Sequence, residues 1–288
     1  MPGCGGSDGD AVAVKYAHLY QSAPGAVPVI RMGWGGNIPD PSLVVAWLIY
    51  RGTSPGVTAE PYNLVDALAS QKLPEYADTG SAVNNLNFNV SFTYTDPSGQ
   101  NTGTVNITYS RAPLAVGTTY YYRARRVVKP NNPGIPTAQV GSSQATTFTI
   151  TPPNALSEPS AAQGPVTYFL PPQPTSPAQN ASSVDPRAIT FRWDTVTGAD
   201  EYQIRVYKDA SVSGLPVVQS PALVVYSPTG QWNYPVSGTG ALQGGKTYYW
   251  VVCARRSGEA PPTCGLESGW IKSTPQQFTT VTLPPSGP

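Results

Sequence analysis

The chain has 288 residues, and its 28 glycines and 32 prolines make up about a fifth of them, while charged residues are only 11%. That length holds about two domains, and so little charge argues against a helical bundle, a coiled coil or a basic nucleic-acid binder. Seventeen basic against sixteen acidic side chains leave a net charge of +1, so no electrostatic footprint for nucleic acid or an anionic membrane exists.

At the N-terminus, Cys4 sits in a glycine-rich stretch that runs from Met1 to Asp10. This stretch resembles the junction of a bacterial lipoprotein, where a small residue precedes the lipidated cysteine and a Gly/Ser/Asp tether follows. The resemblance makes Cys4 a candidate lipid anchor. Met1 and Pro2 depart from that pattern, and the alternative is a plain tail that contains a cysteine. Asp10–Tyr20 alternates imperfectly, with Val12, Val14, Tyr16 and Tyr20 on one face, which reads as a strand. It serves either as the first strand of the first domain or as a segment that pairs with an exposed edge of another copy.

Val29–Trp34 reads as a strand ending in a tryptophan. Leu43–Tyr50, eight apolar residues, is too short to span a bilayer and suits a buried strand. Tyr62–Ser70 places Leu64, Val65 and Leu68 at helical spacing and predicts a short helix. Asn87–Thr95 and Thr102–Tyr109 flank Asp96–Asn101, whose Pro97 and Gly99 predict a hairpin turn. Leu114 precedes Tyr120 by six residues, and Ala145–Ile150 reads as a closing strand.

Pro152–Asp185 is proline-rich and reads as a semi-rigid spacer, within which Val166–Leu170 can add an edge strand. Beyond it, Ala188–Trp193 and Glu201–Lys208 alternate as half-buried strands, Leu242 precedes Tyr248 by six residues, and Gln276–Thr280 closes the series. Short strands separated by turns describe a β-sandwich. Cys253 and Cys264 enclose ten residues with Gly258, Pro261 and Pro262, so they form a candidate disulfide, the alternative being two buried thiols.

Four features in order make the second half similar to a bacterial fibronectin type III domain. They are Trp193, the Gly198-Ala199-Asp200 loop, the Tyr202–Val206 strand, and the Leu242-to-Tyr248 spacing that in this fold builds a tyrosine corner. The first half repeats them with Trp34, Trp47–Gly56 and Leu114-to-Tyr120. The resemblance implies an all-β chain of two tandem immunoglobulin-like β-sandwiches, with core tryptophans Trp34 and Trp193 and tyrosine corners at Tyr120 and Tyr248. Tyr50 to Tyr120 spans 70 residues against 41 from Tyr207 to Tyr248, so the first domain carries an insert near 58–113. The expected boundaries are a tail or strand over 1–23, domain one over 24–151, a linker over 152–173, domain two over 174–282 and a tail over 283–288.

Chemistry is sparse. His18 is the one histidine, which leaves no triad and no histidine metal site. Asp194, Asp200 and Glu201, with Glu75 and Asp78, are the acids that glycoside hydrolysis would need, and loop acids in this fold are more often turn formers. Arg123, Arg125 and Arg126, with Lys129 beyond, form the densest basic run. Alternation puts Tyr121, Arg123 and Arg125 on the face opposite Tyr120 and Tyr122. Tyr121, Tyr249, Trp232, Tyr234, Arg123 and Arg125 are therefore the candidate ligand surface. Three Asn-x-Ser/Thr sites, at Asn89, Asn106 and Asn180, read as chance. The expectation is a non-catalytic, cofactor-free extracellular or cell-surface protein. Its role is structural or adhesive, with other protein subunits as partners, its own copies among them through β-strand addition. The alternative is a polysaccharide-binding accessory module.

Overall fold

The computed structural model of the chain describes residues 12–35, 41–55, 63–69, 75–96, 98–129, 147–151, 155–156, 160–234, 242–259 and 269–283. Apart from one 3₁₀ turn at Pro41–Leu43, the described residues form only strands and loops. They fall into two units, the first built mainly on Val29–Val166 and the second on Thr167–Pro261 with Glu267–Pro288.

The first unit contains β1 (Ala13–Tyr20), β2 (Val29–Gly35), β3 (Val44–Gly52), β4 (Asn63–Ala69), β5 (Glu75–Asp78), β6 (Val83–Asp96), β7 (Gly99–Arg111), β8 (Thr119–Val128), β9 (Thr147–Thr151), β10 (Ala155–Leu156) and β11 (Gln163–Thr167). They make three sheets, ordered β1-β2-β5, β10-β8-β3-β4 with β11 also on β8, and β6-β7-β9. All nine residues of β3 are buried, which a strand achieves only with a layer on each face. On one face, Trp47 meets Trp34 of β2, with ring centroids 5.6 Å apart. On the other, Ala46, Leu48 and Tyr50 join Leu64, Val105, Ile107, Tyr109 and Val127 in one apolar cluster. The first unit is therefore a two-sheet sandwich with the inserted hairpin folded over it as a third layer, and the apolar run Leu43–Tyr50 is the sequence trace of that double burial.

Three expectations are corrected here. Asn63–Ala69 is a strand and not a helix, paired along β3 from Arg51↔Asn63 to Ala46↔Ala69. A helix this short is marginal alone, and ladder hydrogen bonds plus burial of Leu64 and Val65 outweigh its propensity. The closing strand is also reassigned. Thr147–Thr151 pairs with β7 of the insert, while β8 finds its neighbours in β10 and β11. Within the expected linker, Ala155–Leu156 and Gln163–Thr167 pair with β8, and the first unit runs on to Val166 instead of ending at 151. β1 lies beside β2 in its own chain, the first of the two placements its sequence allowed.

The second unit contains β12 (Gln173–Ser176), β13 (Ala181–Val184), β14 (Thr190–Asp194), β15 (Glu201–Tyr207), β16 (Val218–Gln219), β17 (Leu223–Val224), β18 (Thr229–Asn233), β19 (Thr247–Arg255), β20 (Ile271–Lys272) and β21 (Gln276–Thr280). Sheet β12-β14-β18 faces sheet β13-β21-β19-β15-β16, with β17 on β15 and β20 on β19. Phe191, Trp193, Tyr202, Trp250 and Phe278 fill the space between them. Opposite Trp193, β18 carries Gly230. A Cβ there would stand 2.1 Å from the indole Cε2 of Trp193, so the ring is seated only because that position has no side chain.

Both units close with the same device. The hydroxyl of Tyr120 accepts the amide hydrogen of Ala115 at 2.8 Å, and that of Tyr248 accepts the amide hydrogen of Gln243 at 2.8 Å. Leu114 and Leu242, six residues before each tyrosine, are buried beneath the turn.

Candidate functional site

The inserted sheet is where the first unit departs from the second, and its residues sort cleanly by face. Along β6, Phe88, Val90 and Phe92 pack against the apolar cluster, as Val105, Ile107 and Tyr109 do from β7. The alternate residues point outward, and the register sets them in five pairs: Asn87↔Thr108, Asn89↔Asn106, Ser91↔Thr104, Thr93↔Thr102 and Thr95↔Gln100. All ten are uncharged amides or hydroxyls. The hydroxyl of Thr108 donates to Oδ1 of Asn87 at 2.7 Å, tying the two strands on that face. Such a face offers both donors and acceptors in a flat array, with no charge to select a charged partner.

A polar clamp holds the hairpin to the sandwich. The hydroxyl of Tyr109 donates to Oδ1 of Asp66 on β4 at 2.6 Å. Arg111 donates to the hydroxyl of Tyr76 on β5 at 2.7 Å, to the carbonyl of Ser81 at 2.9 Å, and stands 3.6 Å from Asp66. Burial, reinforced for Tyr109 by its bond to Asp66, pushes the phenols of Tyr76 and Tyr109 well above the usual tyrosine range. Deeper in, Asp78 is fully buried and accepts from Arg51 at 2.6 Å, from the hydroxyl of Tyr122 at 3.0 Å and from the amide of Gly80 at 3.0 Å. At the start of β6 the register shifts between Val83 and Leu86. There Asn85 takes a φ of 49° and its amide donates to Ser110 Oγ at 3.1 Å, a conformation asparagine tolerates better than most residues.

Of the acids that could have served hydrolysis, Asp200, Glu201, Glu75 and Asp78 are engaged in structural bonds, and Asp194 is exposed at the end of β14. Asp200 accepts from the amide and hydroxyl of Ser257 at 2.7 and 2.8 Å. Glu201 takes a two-point contact from Arg255 at 2.5 and 2.9 Å, and the Arg255 guanidinium lies 4.5 Å from the Trp270 ring centroid. Glu75 accepts from the hydroxyl of Tyr16 at 3.1 Å. Among the described residues no group of three or more His, Cys, Asp or Glu side chains could hold a metal ion, and no helix is long and apolar enough to cross a membrane.

The expected ligand surface is not one surface. Tyr121, Arg123 and Arg125 are half-buried on the side of β8 that the third layer covers; Tyr121 packs on the apolar cluster, and the Arg125 guanidinium lies 5.9 Å from the Tyr50 ring centroid. Arg126 is fully buried. Tyr249 is half-buried against Tyr207, Val212, Val251 and Cys253. Trp232 lies opposite Phe191, with rings stacked at 5.7 Å, and Tyr234 is only 8% exposed beside it. Tyr121 and Tyr249 lie on the face opposite their neighbours Tyr120, Tyr122, Tyr248 and Trp250, each covered by its own cluster, whereas Trp232 and Tyr234 join the core of the second sandwich. Cys253 is buried, which pushes its thiol up to about 11; Cys264 and Cys4 lie outside the described residues.

His18 is buried on β1, with its ring 5.3 Å from that of Tyr16. Burial, and secondarily the charge of Arg31, hold its imidazole below the usual histidine range. Besides the outward ladder, two features escaped the sequence reading. Tyr226 is 87% exposed in the loop before β18. In addition, Tyr16, Arg31, Met32, Glu75, Tyr76 and Ala77 line a cleft of about 200 Å³ on the first sheet. At Gly33, next to Met32 on β2, a Cβ would stand 2.5 Å from the Tyr16 ring.

No family model matches the chain, and no curated protein does either. Among solved structures it is similar to the FN1–FN3 domains of chicken CNTN1, with 9% identity over 94% of this chain and 68% of that one, at a TM-score of 0.27. It is also similar to the fibronectin(III)-like modules of Clostridium thermocellum CbhA, with 12% identity over 94% of each chain, at a TM-score of 0.30. The strand order of the two units and their paired tyrosine corners carry the fold assignment. The chain is all-β, two fibronectin type III-like sandwiches in succession, the first with an inserted hairpin sheet.

Proposed function

We propose that the protein is a non-catalytic structural or adhesive module of the cell exterior, and that the inserted sheet of its first unit makes the contact. The observation that carries this reading is the outward face of β6 and β7, ten uncharged amide and hydroxyl residues in register on one hairpin. A sandwich needs no third layer to be stable, and among the described residues the second unit has two facing sheets without one. The extra layer is thus best explained by what it presents. The chain's low charge, its Tyr- and Pro-rich composition and the structural use of Asp200 and Glu201 agree with a role in contact and spacing.

Attachment of the full chain to the envelope of its source cells tests the reading. Thr102→Lys with Asn106→Lys places two charges on the face without touching the apolar side, and should abolish attachment while leaving the melting temperature unchanged. Undiminished attachment would refute it.

A second reading, recognition of a neutral polysaccharide, is favoured by one observation. Tyr16 lies over Gly33 with its hydroxyl fixed by Glu75, beside Arg31 in the cleft of the first sheet. An aromatic ring flanked by polar groups suits a sugar ring. Tyr16→Ala should then remove any sugar-dependent rise in melting temperature, and a rise that survives the substitution would refute this reading.

A further inference from the structure

The β6 strand is the outer member of its sheet, with β7 its strand neighbour among the described residues. Unpaired edges invite another strand, and proteins ordinarily blunt them with brevity, charge or proline. The other outer strands are short or carry a charge: β5, β12 and β13 have four residues each, β9 and β18 five, β10 and β16 two, while β4 carries Asp66 and β1 carries Lys15. β6 is the exception. It runs for 14 residues, and Val83–Thr95 contains no charged residue and no proline.

We infer that β6 pairs antiparallel with β6 of a second copy of this chain, about a two-fold axis normal to the sheet near Val90. The inference rests on the contact role proposed above for the inserted sheet. Its ground is the self-complementarity of the strand. In an antiparallel pair, residues directly opposite each other lie on the same face. Pairing about Val90 sets Phe88 against Phe92 and Leu86 against Tyr94 on the apolar side. On the outward side it sets Asn89 against Ser91 and Asn87 against Thr93, the regular pairing ending at the register shift around Asn85. Apolar meets apolar and polar meets polar at every position. A register shifted by one residue would put each apolar residue opposite a polar one. Leu86, 43% exposed, and the half-buried Phe88, Phe92 and Tyr94 would gain cover from the pairing. An isologous contact needs a surface complementary to itself, and an uncharged strand satisfies that without like-charge repulsion. The product is one continuous sheet, β9-β7-β6 joined to its two-fold mate, with an unbroken amide and hydroxyl face.

Sedimentation velocity of the full chain over a concentration series tests this. The wild type should form dimers. Asn89→Lys with Ser91→Lys, both exposed positions, sets lysine opposite lysine across the two-fold axis, and should raise the dimer dissociation constant at least about tenfold at an unchanged melting temperature. Thr102→Lys with Asn106→Lys, on the inner strand β7, should leave dimerisation as in the wild type. Monomers at every concentration, or dimers indifferent to the β6 lysines, would overturn the inference. Monomers whose envelope attachment still depends on Thr102 and Asn106 would overturn the pairing while leaving the contact role standing. Dimers disrupted by the β6 lysines, in a protein whose attachment ignores the β7 face, would support the pairing and remove the contact role.

Discussion

The hydroxyl of Tyr109 donates to Asp66 across the gap between the inserted hairpin and β4, at 2.6 Å. Tyr109 also belongs to the apolar cluster that the hairpin shares with β3 and β4. A hydrogen bond to an ionised carboxylate contributes about 1.5–3 kcal/mol, so Tyr109→Phe should lower the stability of the first unit by roughly that amount. The ring's packing is retained. Hydrogen exchange should then accelerate in β6 and β7 more than in β2, and uniform acceleration would show that the hairpin and sandwich open as one.

His18 gives the first unit a dependence on pH. Its folded pKa is held below the unfolded value of 6.5, so near and below pH 6.5 the unfolded state binds the proton more readily. The stability this burial allows is present above 6.5 and is lost as the pH falls through the depressed folded value. Denaturant midpoints should therefore drop on acidification from 7 toward 5, and His18→Phe should flatten that part of the curve. An unchanged slope in the variant would assign the dependence to other groups.

Gly230→Ala places a methyl 2.1 Å from the Trp193 indole, which is itself fully buried. Either the ring or β18 must move, and overpacking of this sort costs about 1–3 kcal/mol. The melting temperature of the second unit should fall and the fluorescence of the buried tryptophan should change. The first unit's transition should stay in place. A neutral substitution would mean that the β14–β18 pair tolerates displacement.

What was legible in the sequence follows what physical signals it carried. Strand alternation, the Leu114-to-Tyr120 and Leu242-to-Tyr248 spacings and the turn at Pro97 and Gly99 each fix local geometry, so both sandwiches and the hairpin could be read directly. Where the hairpin docks has no local signature. Its only trace was the uninterrupted apolar run at Leu43–Tyr50, which requires cover on both faces. Without that layer, Tyr121, Arg123 and Arg125 read as an open surface, and Ala145–Ile150 as the closing strand. Asn63–Ala69 has apolar residues that satisfy either period, and only its neighbour β3 decides between helix and strand. The outward amide and hydroxyl ladder went unread because its members bear no charge, and the two Asn-x-Ser/Thr sites within it, at Asn89 and Asn106, read as chance. It becomes visible only when the register aligns β6 with β7.

Hydrogen exchange across the full chain, alone and then bound to envelope from its source cells, tests most directly whether the inserted sheet is the contact element. The account predicts that protection is gained in Val83–Arg111 and that the second unit's loops, including the one holding exposed Tyr226, exchange as before. Protection gained around Tyr226 with β6 and β7 unchanged would contradict it.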